Sequence, residues 1–349
     1  AAEAAEAAFA FDRAAALYAR AVGWGKVESD RLHEWMGKQG RALVHAGRTS
    51  EAAPVLLDAA QRAPADARRE LERQAVEAFL VAGHTDRGLE AAKPLLEALG
   101  ITYPSTPLRA LTTILRQMWR LQFERAEHEL PTPTQVSAEQ LATIDVAWSL
   151  GKGLMGVMPL EAVSFALRSL VAARAAGDRM RIARSLAFIG SGCSFAPGWL
   201  ARKGQEYLER AEAIAVELDD PYLRGLTQVW YTYNDLFTGR WRALHENASR
   251  ALQLLEPCRG VHLETTVGDT QLLLALDALG NLTEVRARAQ ERHAEAIRRG
   301  WLYPRPVVRY EDVKQNPTRN TRIVTFKDWL ESRREPGYYA ALLICFLIQ

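Results

Sequence analysis

Ala46-Gly47-Arg48-Thr49-Ser50-Glu51-Ala52 and, 36 positions further on, Ala82-Gly83-His84-Thr85-Asp86-Arg87-Gly88 have one form. A small residue and a glycine end one segment, and a short polar stretch opens the next. The form returns at Thr238-Gly239-Arg240-Trp241-Arg242-Ala243 and, with Gly280 lying 41 positions after Gly239, at Leu279-Gly280-Asn281-Leu282-Thr283-Glu284-Val285. A helix that ends and reverses must pass through positive φ, which glycine enters without a Cβ penalty. Ser50, Asp86 and Thr283 stand where an N-cap oxygen would bind the unpaired amides of the following helix. The recurrence is close to the roughly 34-residue period of tetratricopeptide repeats.

The segments between these turns carry apolar residues at helical spacing. Phe11, Ala14, Ala15, Tyr18 and Val22 form one stripe; Leu71, Ala75, Ala78, Phe79 and Ala82 form a second; Leu208, Ala211, Ala215 and Leu218 form a third. Period-2 alternation is nearly absent before residue 300. The fold class expected is all-α, a tetratricopeptide-like superhelix of antiparallel helix pairs with a short irregular or mixed C-terminal tail. A single pair cannot bury its whole stripe, and each Leu or Phe left exposed forgoes about 1.5–3 kcal/mol. Neighbouring pairs therefore stack.

Proline-bearing segments divide this series at Tyr103-Pro104-Ser105-Thr106-Pro107 and Leu130-Pro131-Thr132-Pro133-Thr134. The expected organisation is N-terminal repeats over 1–102, an inserted long helix with its linkers over 103–136, C-terminal repeats over 137–299 and an atypical tail over 300–349. The first residues lie inside a helical pattern and lack the layout of a signal peptide, which reads as a cut made in a longer protein. The apolar run Tyr338–Ile348 is shorter than the roughly 20 residues a membrane span requires, so none is expected.

A formal net charge of +2 over 349 residues gives no field that would favour nucleic acid. Cys193, Cys258 and Cys345 are too few and too far apart for a disulfide framework or a zinc site, which fits a reducing, cytoplasmic setting. Each Gly-Lys pair (Gly25-Lys26, Gly37-Lys38, Gly151-Lys152) lacks the earlier glycine and the following Ser or Thr of a phosphate-binding loop. Kinase elements are missing, and His33-Glu34, His128-Glu129 and His245-Glu246 each lack the second histidine of a zinc-protease motif. Gly192-Cys193-Ser194-Phe195-Ala196 lacks the closing glycine of a nucleophile elbow and reads as a helix end. Gly151-Lys152-Gly153-Leu154-Met155-Gly156 reads as a flexible break between hairpins rather than a phosphate cradle. No catalytic residue, metal ligand or cofactor is expected.

The residues that offer a partner surface are aromatic and basic. Trp230, Tyr233 and Phe237 crowd one helix and Trp241 follows it; repeat core is the first reading of this group and a peptide-binding patch the second. Arg116 and Arg120 lie on the long helix, first as a solvated charged stripe and second as partner contacts.

Phe11-Asp12-Arg13-Ala14-Ala15-Ala16-Leu17-Tyr18, Asp220-Pro221-Tyr222-Leu223-Arg224-Gly225-Leu226, the turn at Gly239-Arg240-Trp241 and the segment Glu256-Pro257-Cys258-Arg259-Gly260-Val261 through Glu264-Thr265 carry a resemblance. Over residues 1–300 the chain resembles the C-terminal helical region of bacterial serine/threonine protein kinases that also carry an AAA-type ATPase domain. The resemblance implies a sensor or docking scaffold without catalysis of its own. It also implies a protein or peptide partner, the upstream kinase and ATPase modules among the candidates. A small-molecule-sensing repeat domain is the alternative. Residues 307–330, with Val307-Val308-Arg309-Tyr310-Glu311-Asp312-Val313 and Asn316-Pro317, resemble the strand–Pro–helix segment near the end of sulfotransferases. That resemblance would make the tail a sulfotransferase-related fragment without its cofactor loop.

Overall fold

The computed structural model describes residues 1–24, 31–123, 136–193 and 198–299. Among these residues the chain forms α-helices and no strand. The first half holds α1 (Ala2–Ala7), α2 (Phe11–Gly23), α3 (Leu32–His45), α4 (Thr49–Arg62), α5 (Ala65–Val81), α6 (Thr85–Ala98) and α7 (Pro107–Phe123). The second half holds α8 (Ala138–Leu154), α9 (Pro159–Ala176), α10 (Arg179–Cys193), α11 (Trp199–Glu217), α12 (Pro221–Phe237), α13 (Trp241–Leu255), α14 (His262–Ala278) and α15 (Leu282–Arg299). Apart from α7, which packs on α9, helices consecutive in sequence pack as neighbours, giving an all-α helical-repeat superhelix. No helix among the described residues is long and apolar enough to cross a membrane. The sulfotransferase-like segment at 307–330, Cys345 and the apolar run at 338–348 lie outside the described residues.

The four glycine turns share one hydrogen-bond pattern. Gly47 N–H donates to Val44 O and Arg48 N–H to Leu43 O; Gly83 and His84 repeat this with Leu80 and Phe79. Gly239 and Arg240 do so with Leu236 and Asp235, and Gly280 and Asn281 with Asp277 and Leu276. All four glycines have positive φ, between 68° and 86°. This is the Schellman closure, which satisfies the last carbonyls of each helix.

The same closure corrects the expected N-caps. In the Schellman pattern the residue after the glycine already serves as the next helix's N-cap, so Arg48 and His84 hold that place without a side-chain cap bond. Ser50, Asp86 and Thr283 fall inside the first turns of α4, α6 and α15. Side-chain caps occur instead at Ser137, in a capping box with Gln140, and at Asp220, which accepts from Leu223 N–H. The helical pattern of the first residues forms two helices, α1 and α2, broken where Phe9 takes φ 58°.

Of the stretch Gly151–Gly156 read as a break, only Met155 and Gly156 leave the helix, in the turn before α9; Gly151-Lys152-Gly153 is helical. It lies in the last turns of α8, buried. A Cβ on Gly151 would come within 3.2 Å of the α9 backbone at Ala162 and Ala166, and one on Gly153 within 2.5 Å of Leu80. Close helix approach, which removes room for any side chain, outweighs the helix propensity glycine lacks.

Helix α5 joins two cores. Leu71, Ala75 and Phe79 pack with the cluster of α1–α4, and Val76 and Leu80 with a larger cluster running through Ile144, Phe165 and Leu208 to Trp230. Helix α5 also packs on α8, while α7 packs on α9. Val81, at the end of α5, meets a third cluster containing Leu255, Val261 and Leu263. The superhelix thus curls until its first hairpins touch the α13–α14 turn.

Gly239 gives a direct check of the turn geometry. Open space surrounds its Cβ position, so a side chain there meets only backbone strain. Gly239→Val is expected to cost about 1–2 kcal/mol and to lower Tm, and Gly239→Asn to cost less, because Asn enters the left-handed region more readily. Thermal denaturation of the two variants checks this; an unchanged Tm for the valine variant would contradict the turn.

Candidate functional site

Where the curled array meets itself, polar contacts lie beside the apolar ones around Val81. Lys152 projects from α8 and is 7% exposed. Its ammonium lies 2.8 Å from Glu77 Oε1 of α5 and 3.3 Å from Glu264 Oε1 of α14, a residue 2% exposed. The second oxygen of Glu77 accepts from the Arg73 guanidinium and from Ser149 Oγ, both at 2.7 Å. Arg73 also bonds Ser149 Oγ and Glu70. Tyr222 of α12 donates to Glu264 Oε1 at 3.2 Å. Carboxylates from α5 and α14, which lie on either side of α8 in sequence, converge on one amine.

A buried charge requires close opposite charges to remain ionised. Burial works to raise the Glu77 carboxyl, yet Lys152 and Arg73 hold it well below the usual carboxylate range. Burial works against the Lys152 ammonium, yet Glu264 and Glu77 hold it above the ordinary lysine value. Burial, reinforced by Glu264, pushes the Tyr222 phenol up.

Beside this seam, α3, the start of α4, α5 and the α13–α14 turn line a cleft of about 190 Å3 that opens to the surface. Glu77, Arg73 and Lys152 reach one side of it, and Val44, Val81 and Leu263 contribute apolar wall. Arg41, His45, Thr49 and Gln74 also line it. The rim is a closure contact between distant segments. His262 Nε2 donates to His45 O at 3.1 Å, and Arg259 stacks on Phe9 and Phe11 at 4.4 and 5.7 Å. Burial, then the neighbouring charge of Arg259, lowers the His45 imidazole.

The residues singled out from the sequence do not meet at this place. Trp230 is 2% exposed and packs edge-on against Phe188 at 5.1 Å, so its ring is core and leaves the partner-facing set. Tyr233 and Phe237 continue from it as a stacked ladder, 5.7 and 6.4 Å between successive rings, and are half-buried. Trp241 opens α13 and is 37% exposed. Arg116 and Arg120 lie exposed on α7, and burial followed by the Arg116 charge lowers the neighbouring Arg168. Sequence reasoning missed Lys152 as a charge centre. The available signal was a lysine set among Trp148, Leu150 and Leu154, where an uncompensated charge could not stay.

Lys152→Met is expected to destabilise by about 3–5 kcal/mol, because it strands Glu264 without its cation, and adding Glu264→Gln should recover part of the loss. Equal loss in the single and double variants, measured by urea denaturation, would contradict the coupling. In the wild-type protein the Glu77 contribution should be complete above its ordinary value of 4.5 and fall away as pH drops below it. The Lys152 contribution should be complete below 10.5 and fall away above it.

No protein-family model matches the chain, and a comparison with curated proteins finds no match to it.

Proposed function

We propose that this chain is a non-catalytic regulatory scaffold, a tetratricopeptide-like region that works by contact with a protein or peptide. The observation that carries the reading is the chemistry of the buried seam. General acid–base catalysis is served by groups whose pKa lies near the working pH. Here Glu77 is driven down and Lys152 and Tyr222 are driven up, each away from neutrality. A cluster of this kind fixes shape rather than moving protons. The stacked hairpins supply the extended surface that repeat scaffolds use for recognition.

The resemblance to bacterial kinase–ATPase proteins makes those modules the first partners to test, in a cytoplasmic signalling setting. Trp241 at the head of α13 and Arg116 on α7 are the exposed residues of the candidate partner set used as probes. A second reading, a repeat domain that senses a small molecule, is favoured by the cavity beside Lys152.

Titrating a kinase–ATPase fragment of that family into the purified chain by calorimetry tests the docking reading. A saturable complex is expected, weakened by Trp241→Ser or Arg116→Ser while the helical circular dichroism stays unchanged. Heat of dilution alone, or equal affinity in wild type and both variants, would argue against docking through these residues.

A further inference from the structure

The rim where the first hairpins meet the α13–α14 turn holds a histidine in surroundings that disfavour its charged form. His45 ends α3 and is half-buried. Its ring meets Phe11 edge-on, with centroids 5.1 Å apart. It also lies against Gly260: a Cβ there would stand 3.4 Å from His45 Cδ2 and 3.6 Å from Nε2. Segments 217 residues apart meet at this point, because His262 Nε2 donates to His45 O.

The charges around the ring come from every element packed near it. Arg259, from the α13–α14 turn, also lies over Phe11, the ring that His45 touches. His262 comes from α14, Arg41 from α3 itself and the Glu6 carboxylate from α1. Glu6 already accepts from the Tyr18 hydroxyl at 2.9 Å. Asp12 of α2 is engaged by Arg48. Across the cleft, Arg73 and Lys152 pair with Glu77. Glu6 and the carbonyl end of α3 favour a proton on His45. Burial, then Arg259, His262 and Arg41 oppose it, and the imidazole is lowered from its ordinary 6.5. His262 is not the sensitive group, since its Nε2 carries the donated proton in the neutral ring and the cation alike.

We propose that His45 is an acid-sensitive latch on the closed array: its protonation drives the Arg259–Gly260 turn away from α2 and α3. A charged ring regains hydration, and distance from Arg259, only when that turn lifts. The Lys152 seam keeps its own pairs, so the rim opens without unfolding the helices. The closed rim binds the His45 proton more weakly than the open one. By linkage, closure from this group is complete above pH 6.5 and is lost as pH falls below it. One proton changes the open-to-closed ratio by at most about tenfold per pH unit. Glu77, held well below the carboxylate range, stays charged throughout that fall.

Spin labels at Arg13 in α2 and Glu256 at the end of α13 read the rim distance, in the full chain with its cysteines replaced by serine. The titration runs from about pH 8 to about pH 5, the range in which histidine changes charge. A short distance is expected at the upper end. A longer one should grow in below 6.5 while the helical circular dichroism stays constant. His45→Gln, which takes up no proton, should keep the short distance throughout. A wild-type distance independent of pH would overturn the latch, as would a response that persists in His45→Gln or helix loss in step with the distance. If His45→Gln is open at every pH, side-chain NMR titration of His45 in the unlabelled wild type decides. A midpoint below 6.5 that follows the opening supports the latch, and one at or above 6.5 overturns it.

Discussion

The Lys152 ammonium carries a full charge into the interior of the array, and the fold has to keep two carboxylates beside it. One comes from α5, three helices earlier in the chain; the other, Glu264, is 112 residues later in sequence. Removing an ion from water costs several kcal/mol, and only close, well-oriented partners offset that cost. Uncurling the superhelix would separate Glu264 from Lys152 and leave a charge stranded on each. The seam therefore selects one curvature out of the range that stacked hairpins allow. Its contribution is to the choice of shape, since a pair of this kind adds little net stability over an apolar contact of equal size. The glycines on either side of Lys152 let the neighbouring helices come close: a Cβ at Gly153 would overlap Leu80, and one at Gly151 would press on the α9 backbone.

The hairpins themselves were legible in the sequence because their signals are local. A left-handed residue after each helix needs glycine, and Gly47, Gly83, Gly239 and Gly280 all stand in that role. The apolar stripes of α2, α5 and α11 are read from periodicity over one helix. The N-caps were misplaced for an equally local reason: at Arg48 and His84 the C-terminal closure of one helix runs directly into the start of the next, leaving no separate position for a capping side chain. Gly151-Lys152-Gly153 was misread because glycine signals a break only when packing does not decide. Here it does, through Leu80 and the α9 backbone.

The polar seam and cavity were not legible. Their members come from α3, α4, α5, α8, α12 and α14, and they meet only after the small rotations between successive hairpins have accumulated. No spacing rule links Glu77 or Lys152 to Glu264. In α12, Trp230 is buried in the core, and Tyr233 and Phe237, half-buried, stack in series from it. The cavity and the seam share Glu77 and Lys152.

The claim on which this account rests is that the array closes on itself, with the first hairpins seated against the α13–α14 turn. The direct measurement is the electron–electron distance between spin labels at two exposed positions, Arg13 in α2 and Glu256 at the end of α13, in a chain whose native cysteines are replaced by serine. A single narrow distribution at short separation is predicted, shifting to longer distances when Lys152→Met is added. A broad, long distribution in the otherwise unaltered chain would contradict closure.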